Sequence, residues 1–206
     1  MTIQGVSTPP PTPSPLPESA FINVPYTVQA PKGWDAAHEE YCEAAAVLMY
    51  GLYIRGDHRS VIPPDEADRL MGSIVAWERQ TYPKLLDIPL DDMATVGAHF
   101  YPMVATVQPA TLEDVKTAIA SGRPVIIPVM THGAPGGKKI APNYGSLSVY
   151  HVIVITGYRG NTVYTNDAGF TQGQNWPYDW SILESAMDAQ TAHMNQGRTM
   201  LTFSPA

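Results

Sequence analysis

The sequence is poor in cysteine, in positive charge and in long apolar stretches, and each shortage excludes a class of protein. Cys42 is the only cysteine, so no disulfide can form within the chain. The 12 lysines and arginines are outnumbered by 19 aspartates and glutamates. No basic cluster interrupts this balance, which argues against nucleic acid as a partner. No apolar run approaches the roughly 18 residues of a membrane-spanning helix.

The N-terminal region is rich in proline, serine and threonine instead. Residues 7–17 read Ser-Thr-Pro-Pro-Pro-Thr-Pro-Ser-Pro-Leu-Pro, a composition typical of extended, solvated tethers. We therefore predict a disordered tail or linker over residues 1–20 and one globular domain over residues 21–206. Such tethers often follow a removed signal or anchor, and no secretory signal pattern is visible here. The tract favours an extracellular or cell-envelope location.

Cys42 lies at the start of a predicted buried helix. Residues 44–53 are apolar on every side of a helical projection, which is typical of a helix enclosed by protein. A helix start exposes unpaired N–H groups and carries partial positive charge, so a cysteine in its first turn is biased towards the thiolate. Cys42 is therefore a candidate nucleophile, although a lone cysteine can also be a small buried hydrophobe. Glu43 is interpreted as a helix-start carboxylate that slightly opposes the thiolate.

The rest of the chain alternates between helical and strand-like patterns. Further helices are predicted over residues 65–82, 91–100, 111–122 and 180–190, and strands over residues 21–29, 125–130, 151–157, 162–166 and 198–203. Pro128 predicts an irregularity in its strand. Residues 132–150 contain several glycines and prolines and are predicted to form a long loop, a kind of segment that often carries function.

Three polar side chains complete the set of groups that a thiol hydrolase needs. His151 and Asp167 flank a predicted hairpin that turns about Arg159, which would place them directly opposite each other, about 5 Å apart on one face. A loop one residue longer or shorter would put them on opposite faces unless a bulge compensated. The side-chain amide of Gln29 and the backbone N–H of Cys42 are candidate donors to an oxyanion.

Other histidines are weaker candidates for the base. His38 is the nearest to Cys42 in sequence, but a residue on the same turn has little freedom to face the thiol across a cleft. No two histidines have a ligand-like spacing with a further cysteine, aspartate or glutamate, which argues against a zinc site.

Four motifs, taken in order, resemble one known family. They are Val24-Pro25-Tyr26, Gln29-Ala30-Pro31 with Trp34, Cys42-Glu43-Ala44-Ala45, and the segment from His151 to Tyr158 followed by Asn166-Asp167-Ala168-Gly169. Together they resemble the papain-like cysteine peptidases of the double-glycine-leader (bacteriocin-processing) type, and most closely their stand-alone bacterial relatives. The resemblance extends from residue 21 to about residue 203.

This resemblance implies an α+β papain-like fold, in which a buried N-terminal helix carries the nucleophile and packs on an antiparallel sheet. It implies Cys42 as nucleophile, His151 as general base, Asp167 as the group that orients His151, and Gln29 in the oxyanion hole, with no metal or organic cofactor. The implied activity is amide hydrolysis of peptide or protein substrates through an acyl-enzyme. Two alternatives stay open: another acyl-transfer enzyme (transglutaminase-like or a cell-wall peptide amidase), and a non-catalytic peptide-binding domain.

Overall fold

The computed structural model describes residues 15–206, so most of the predicted tail over residues 1–20 lies outside the described residues. The first strand begins at Ser19, inside that predicted tail. The elements in chain order are β1 (Ser19–Phe21), a 3₁₀ turn (His38–Glu40), α1 (Cys42–Ile54), α2 (Pro64–Thr81), α3 (Leu90–Phe100), β2 (Met103–Pro109), α4 (Leu112–Ala120), β3 (Val125–Met130), β4 (Tyr150–Arg159), β5 (Thr162–Asn166), β6 (Trp176–Asp179), α5 (Trp180–Met194) and β7 (Thr199–Pro205).

The strands form one antiparallel sheet with the order β2-β7-β3-β4-β5-β6. β4 is its longest strand and pairs with β3 along its first half, with β1 along its second half, and with β5 on the other side. No helix of the described residues is both long enough and apolar enough to cross a membrane.

Helices cover both faces of this sheet. Because side chains alternate along a strand, Val152 and Val154 of β4 pack into the apolar cluster that contains α1, α2 and α3. Ile153 and Ile155 pack into a second cluster, which contains α4 and α5. The expected α+β papain-like fold is confirmed, with a buried N-terminal helix on an antiparallel sheet.

The helix α1 begins at Cys42, and its residues 42–52 are all buried. An apolar helix without a polar face can only be stable when protein surrounds it, and α1 is enclosed by the sheet and by α2 and α3. The sequence predicted this enclosure correctly. Its first residue is therefore fixed near the start of β4.

The β4–β5 hairpin has a different register from the predicted one. Its turn is Gly160–Asn161, with Arg159 opposite Thr162, and a bulge between Ile155 and Gly157 shifts the pairing so that Val154 lies opposite Asn166. Asp167 therefore follows opposite Ile153, two residues from His151. The predicted direct pairing of His151 with Asp167 was wrong, but the bulge keeps both residues on the same face of the sheet.

Several strand predictions also need correction. The predicted strand over residues 21–29 ends at Phe21, because Pro25 lacks an N–H and Tyr26 makes only an isolated bridge to Val61. The strands β2 and β6 were not predicted. Pro128 causes no register shift between β3 and β4, and β7 pairs with β3 only at Ile126, away from the missing N–H.

Candidate active site

His151 and Asp167 form a buried hydrogen-bonded pair. His151 lies at the start of β4 and Asp167 directly after β5. The distance from His151 Nε2 to Asp167 Oδ1 is 2.9 Å, and the two residues are 3% and 0% exposed. Asp167 can therefore fix the ring orientation of His151 and stabilise its protonated form.

Two tyrosines hold the carboxylate of Asp167 in place. The hydroxyl of Tyr144 donates to Oδ1 at 2.8 Å and Oδ2 at 2.7 Å, and the hydroxyl of Tyr178 donates to Oδ2 at 2.7 Å. The N–H of Gly169 adds a bond to Oδ1 at 3.0 Å. Burial by itself would raise the pKa of Asp167, but the charge of His151 and the hydrogen bonds from His151, Tyr178 and Tyr144 lower it below its usual value. Asp167 is therefore ionised.

Gln29 is buried beside the 3₁₀ turn that precedes α1. Its Nε2 donates to the backbone oxygens of His38 at 2.9 Å and Glu39 at 3.0 Å, which uses both amide hydrogens. Its Oε1 has no hydrogen-bond partner among the described residues. In this arrangement Gln29 fastens the turn that leads into α1, and donation to an oxyanion would require one of these bonds to open.

The sulfur of Cys42 is hydrogen-bonded to the next residue in the sequence, Glu43. Sγ donates to Glu43 Oε2 at 2.9 Å, while Glu43 Oε1 accepts from the N–H of Ile88 at 3.1 Å. Cys42 is 3% exposed and belongs to the apolar cluster on the α1 side of the sheet. Among the described hydrogen bonds, none joins Cys42 to His151.

Burial and charge both disfavour the thiolate in this arrangement. Burial, followed by the charge of Glu43 and its hydrogen bond, raises the pKa of the Cys42 thiol well above its ordinary value, against a smaller opposing effect of the N–H of Val152. Burial also raises the pKa of Glu43 to about 8. The resting thiol is therefore protonated, in contrast to the bias expected from the helix start alone.

A large cavity opens beside His151. Its volume is about 870 Å³, and His151, Gln29 and Tyr144 are among its lining residues. Much of the wall comes from the predicted loop 132–150, here residues 143–149, together with residues 169–172. Cys42 does not line the cavity in this arrangement.

His38, the alternative candidate for the general base, is held by two carboxylates. Its ring lies between Asp35 Oδ1, at 2.7 Å from Nδ1, and Asp68 Oδ1, at 2.9 Å from Nε2. These contacts use both ring nitrogens, so His38 stabilises the 3₁₀ turn. The described residues also contain no group of three histidine, cysteine, aspartate or glutamate side chains that could hold a metal ion.

Sequence reasoning missed the contributions of Glu43, Tyr144 and Tyr178. Glu43 is the only charged residue of α1, and a lone carboxylate within an apolar helix could have signalled a buried role. Tyr178 lies in the unpredicted strand β6, and Tyr144 lies in a loop without a pattern. The sequence carries no signal that would join these tyrosines to Asp167.

Comparison with known proteins agrees with this architecture. The Peptidase_C39 like family model matches residues 21–192. A crystal structure described as a C39-like peptidase from Bacillus anthracis superposes with a TM-score of 0.60 at 14% identity, covering 91% of this chain and 98% of the other. Xylellain, a cysteine protease from Xylella fastidiosa, gives a TM-score of 0.44 at 11% identity, covering 93% and 87%. A search of curated proteins finds no match.

Proposed function

Because the chain belongs to the Peptidase_C39 like family, a group of papain-like peptidases, we propose that it hydrolyses amide bonds of peptide or protein substrates, with Cys42 as the nucleophile. The observation that carries this proposal is the 2.9 Å hydrogen bond between His151 and the buried Asp167, with His151 in the wall of a cavity large enough for a peptide segment. The family match and the position of Cys42 at the first residue of α1 support it.

In the proposed reaction, Cys42 Sγ attacks the carbonyl carbon of the scissile amide after His151 takes the thiol proton. His151 then gives this proton to the leaving amine, and water hydrolyses the acyl-enzyme. Asp167 orients the imidazole and stabilises its cationic form. The N–H of Cys42 has no acceptor among the described residues, so it is free to donate to the oxyanion. Gln29 joins it when one Nε2 bond to the 3₁₀ turn opens.

This reaction requires the sulfur to leave Glu43. Rotation of the Cys42 side chain about its Cα–Cβ bond is the smallest change that breaks the bond to Glu43 Oε2, because α1 itself is fixed by packing. We propose that substrate binding in the cavity induces this rotation towards His151. Protonation of Glu43 removes the negative charge that opposes the thiolate, so it favours the same step.

Replacement of Cys42 by alanine tests the proposal. Turnover of a broad peptide library, followed by mass spectrometry, is expected with the native chain and is expected to vanish in Cys42→Ala and in His151→Gln. The matched control is His99→Gln, because His99 is stacked on Trp77 away from the cavity. Equal turnover by the native chain and Cys42→Ala would refute the proposal.

A non-catalytic peptide-binding domain is the second candidate, and one observation favours it. The thiol is buried, protonated and held by Glu43 rather than by His151. This candidate predicts peptide binding without cleavage and slow alkylation of Cys42 by iodoacetamide, even when peptide is bound. The proposed peptidase predicts that bound peptide accelerates alkylation or competes with it through an acyl-enzyme.

A further inference from the structure

The cavity beside His151 carries an excess of negative charge. Glu39 and Glu40 of the 3₁₀ turn line it, and so does Asp87 from the connection between α2 and α3. Among the described residues, no lysine or arginine lines the cavity. Its charged side chains are therefore acidic, apart from the titratable His151 and His193.

These three carboxylates lack the lysine or arginine partners that several other acids of the described residues have. Lys32 and Arg59 each bridge two carboxylates elsewhere on the surface. In residues 15–206, Glu39 and Glu40 make no salt bridge, and the partner of Asp87 is the imidazole of His193 at 2.8 Å.

Glu40 also shows that the three carboxylates act on one another. Its pKa is raised by burial and then by the charges of Asp87 and Glu39, against a smaller opposing effect of Arg79. A cation bound between these groups would relieve their repulsion.

The same wall also contains a residue whose buried acceptor oxygen has no hydrogen-bond donor among the described residues. Gln29 is 4% exposed, it lines the cavity, and its Oε1 has no hydrogen-bond partner in the described part of the chain. An unpaired buried carbonyl oxygen is costly. A ligand N–H group that reached this oxygen, from a peptide backbone or a basic side chain, would satisfy it.

Large apolar side chains stand exposed at the rim of the cavity. Trp34, Leu86 and Leu147 all line it, and they are 54%, 78% and 75% exposed. Covering large apolar side chains with a ligand removes much apolar surface from water and so contributes strongly to the free energy of binding. The rim therefore offers apolar contact next to the acidic wall.

We propose that this cavity selects peptide segments in which a lysine or arginine side chain lies against Glu39, Glu40 and Asp87 and a neighbouring apolar side chain lies against the rim. The inference rests on the proposed function, because it takes the cavity as the substrate site. The complementary charge gives specificity against acidic peptides, which the same three carboxylates repel.

Binding to the Cys42→Ala chain tests this inference without requiring turnover. The probes are short capped peptides with one leucine followed by lysine, methionine or glutamate and otherwise identical. We expect the lysine peptide to bind at least about tenfold more tightly than the glutamate peptide at low salt, with methionine between them. Added salt should reduce this ratio, because it screens the attraction.

A matched pair of variants locates the effect. The triple variant Glu39→Gln, Glu40→Gln, Asp87→Asn in the Cys42→Ala background should bind the three peptides with nearly equal affinity. The control triple variant, Glu18→Gln, Asp91→Asn, Glu113→Gln, removes the same number of charges from exposed positions outside the cavity. The control variant should keep the preference for the lysine peptide. This result would show that the preference comes from the carboxylates of the cavity wall and not from the net charge of −7.

The outcomes separate this inference from the proposed function. Equal affinity for the lysine and glutamate peptides, no binding of any peptide, or an unchanged preference in the cavity triple variant would overturn the inference. Hydrolysis by the native chain of acidic and basic peptides alike would overturn it while supporting a peptidase. Selective binding of lysine peptides that the native chain never cleaves would support the inference and refute the proposed function.

Discussion

The buried carboxyl group of Glu43 should make the stability of the fold depend on pH, and Glu43→Gln should remove this dependence. Glu43 is 2% exposed, and its two oxygens accept hydrogen bonds from Cys42 and from the N–H of Ile88. Glutamine has nearly the same shape and retains one acceptor oxygen, but it carries no charge. The substitution therefore tests the ionisation of Glu43 with little change in packing.

The magnitude follows from the raised pKa. Burial, its main cause, raises the pKa of Glu43 from 4.5 to about 8. Below about pH 4.5, Glu43 is protonated in both the folded and the unfolded chain, so its raised pKa does not lower the free energy of unfolding. Above that pH the unfolded chain releases the proton and the folded chain keeps it, which lowers the free energy of unfolding by about 1.4 kcal/mol per pH unit. The loss reaches about 5 kcal/mol near pH 8 and then stays constant.

Urea unfolding followed by tryptophan fluorescence measures this effect between about pH 4.5 and about pH 8.5. The free energy of unfolding of Glu43→Gln, relative to the native chain, should rise by about 5 kcal/mol across this interval. The control is Glu113→Gln, an exposed position on α4, whose difference from the native chain should stay constant. Parallel pH curves for Glu43→Gln and the native chain would refute the reasoning, even if the variant were uniformly less stable.

The same variant should change the reactivity of Cys42. The charge of Glu43 is, after burial, the main cause that raises the pKa of the thiol, so Glu43→Gln should lower that pKa. The rate of alkylation by iodoacetamide should therefore be higher in Glu43→Gln than in the native chain above about pH 8, and the two rates should converge below it. Equal rates at high pH would show that Glu43 does not control the thiol.

Two further substitutions test how Asp167 is held. Tyr178→Phe removes the hydroxyl that donates to Asp167 Oδ2, so the free energy of unfolding at neutral pH should fall by about 1.5–3 kcal/mol. Acid unfolding should also begin at a higher pH, because the pKa of Asp167 is less depressed in this variant. Tyr164→Phe, which loses no described hydroxyl bond, should leave both unchanged. In Gly173→Ala the new Cβ would overlap the backbone oxygen of Asp167, so we expect the free energy of unfolding to fall by about 3 kcal/mol or more in thermal unfolding. Gly145→Ala, with open space around its Cβ, should be nearly neutral, and a similar loss in both glycine variants would contradict this account.

Patterns local in the sequence were predicted well. The apolar surround of α1 follows from its composition, and the start of α4 follows from Thr111, whose hydroxyl accepts from the N–H of Asp114. The expectation that His151 and Asp167 share one face of the sheet also depends on nearby residues, and it was correct although the predicted register was wrong. These features need only local propensity and periodicity.

Features that depend on distant contacts were not predicted. The bulge in the β4–β5 hairpin has no sequence signature beyond Gly157. The residues after Phe21 do not form the expected strand, because the hydroxyl of Tyr26 donates to the backbone oxygens of Asp167 and Phe170. The burial of Glu43 depends on a bond to Ile88, 45 residues away. Such contacts arise from tertiary packing, which overrides local preference.

The unpaired residue in β4 lets this strand change its length by one without changing which side chains share a face. Deleting Thr156 alone would remove the bulge and restore uniform pairing, with Val154 still opposite Asn166 and Asp167 still on the same face as His151. Deleting a regularly paired residue of β5 would instead turn the side chain of Asp167 to the opposite side of the sheet, towards α1. A hairpin grafted from another protein should therefore preserve function when a difference of one residue falls at the bulge, and lose it when the difference falls in the paired part of β5.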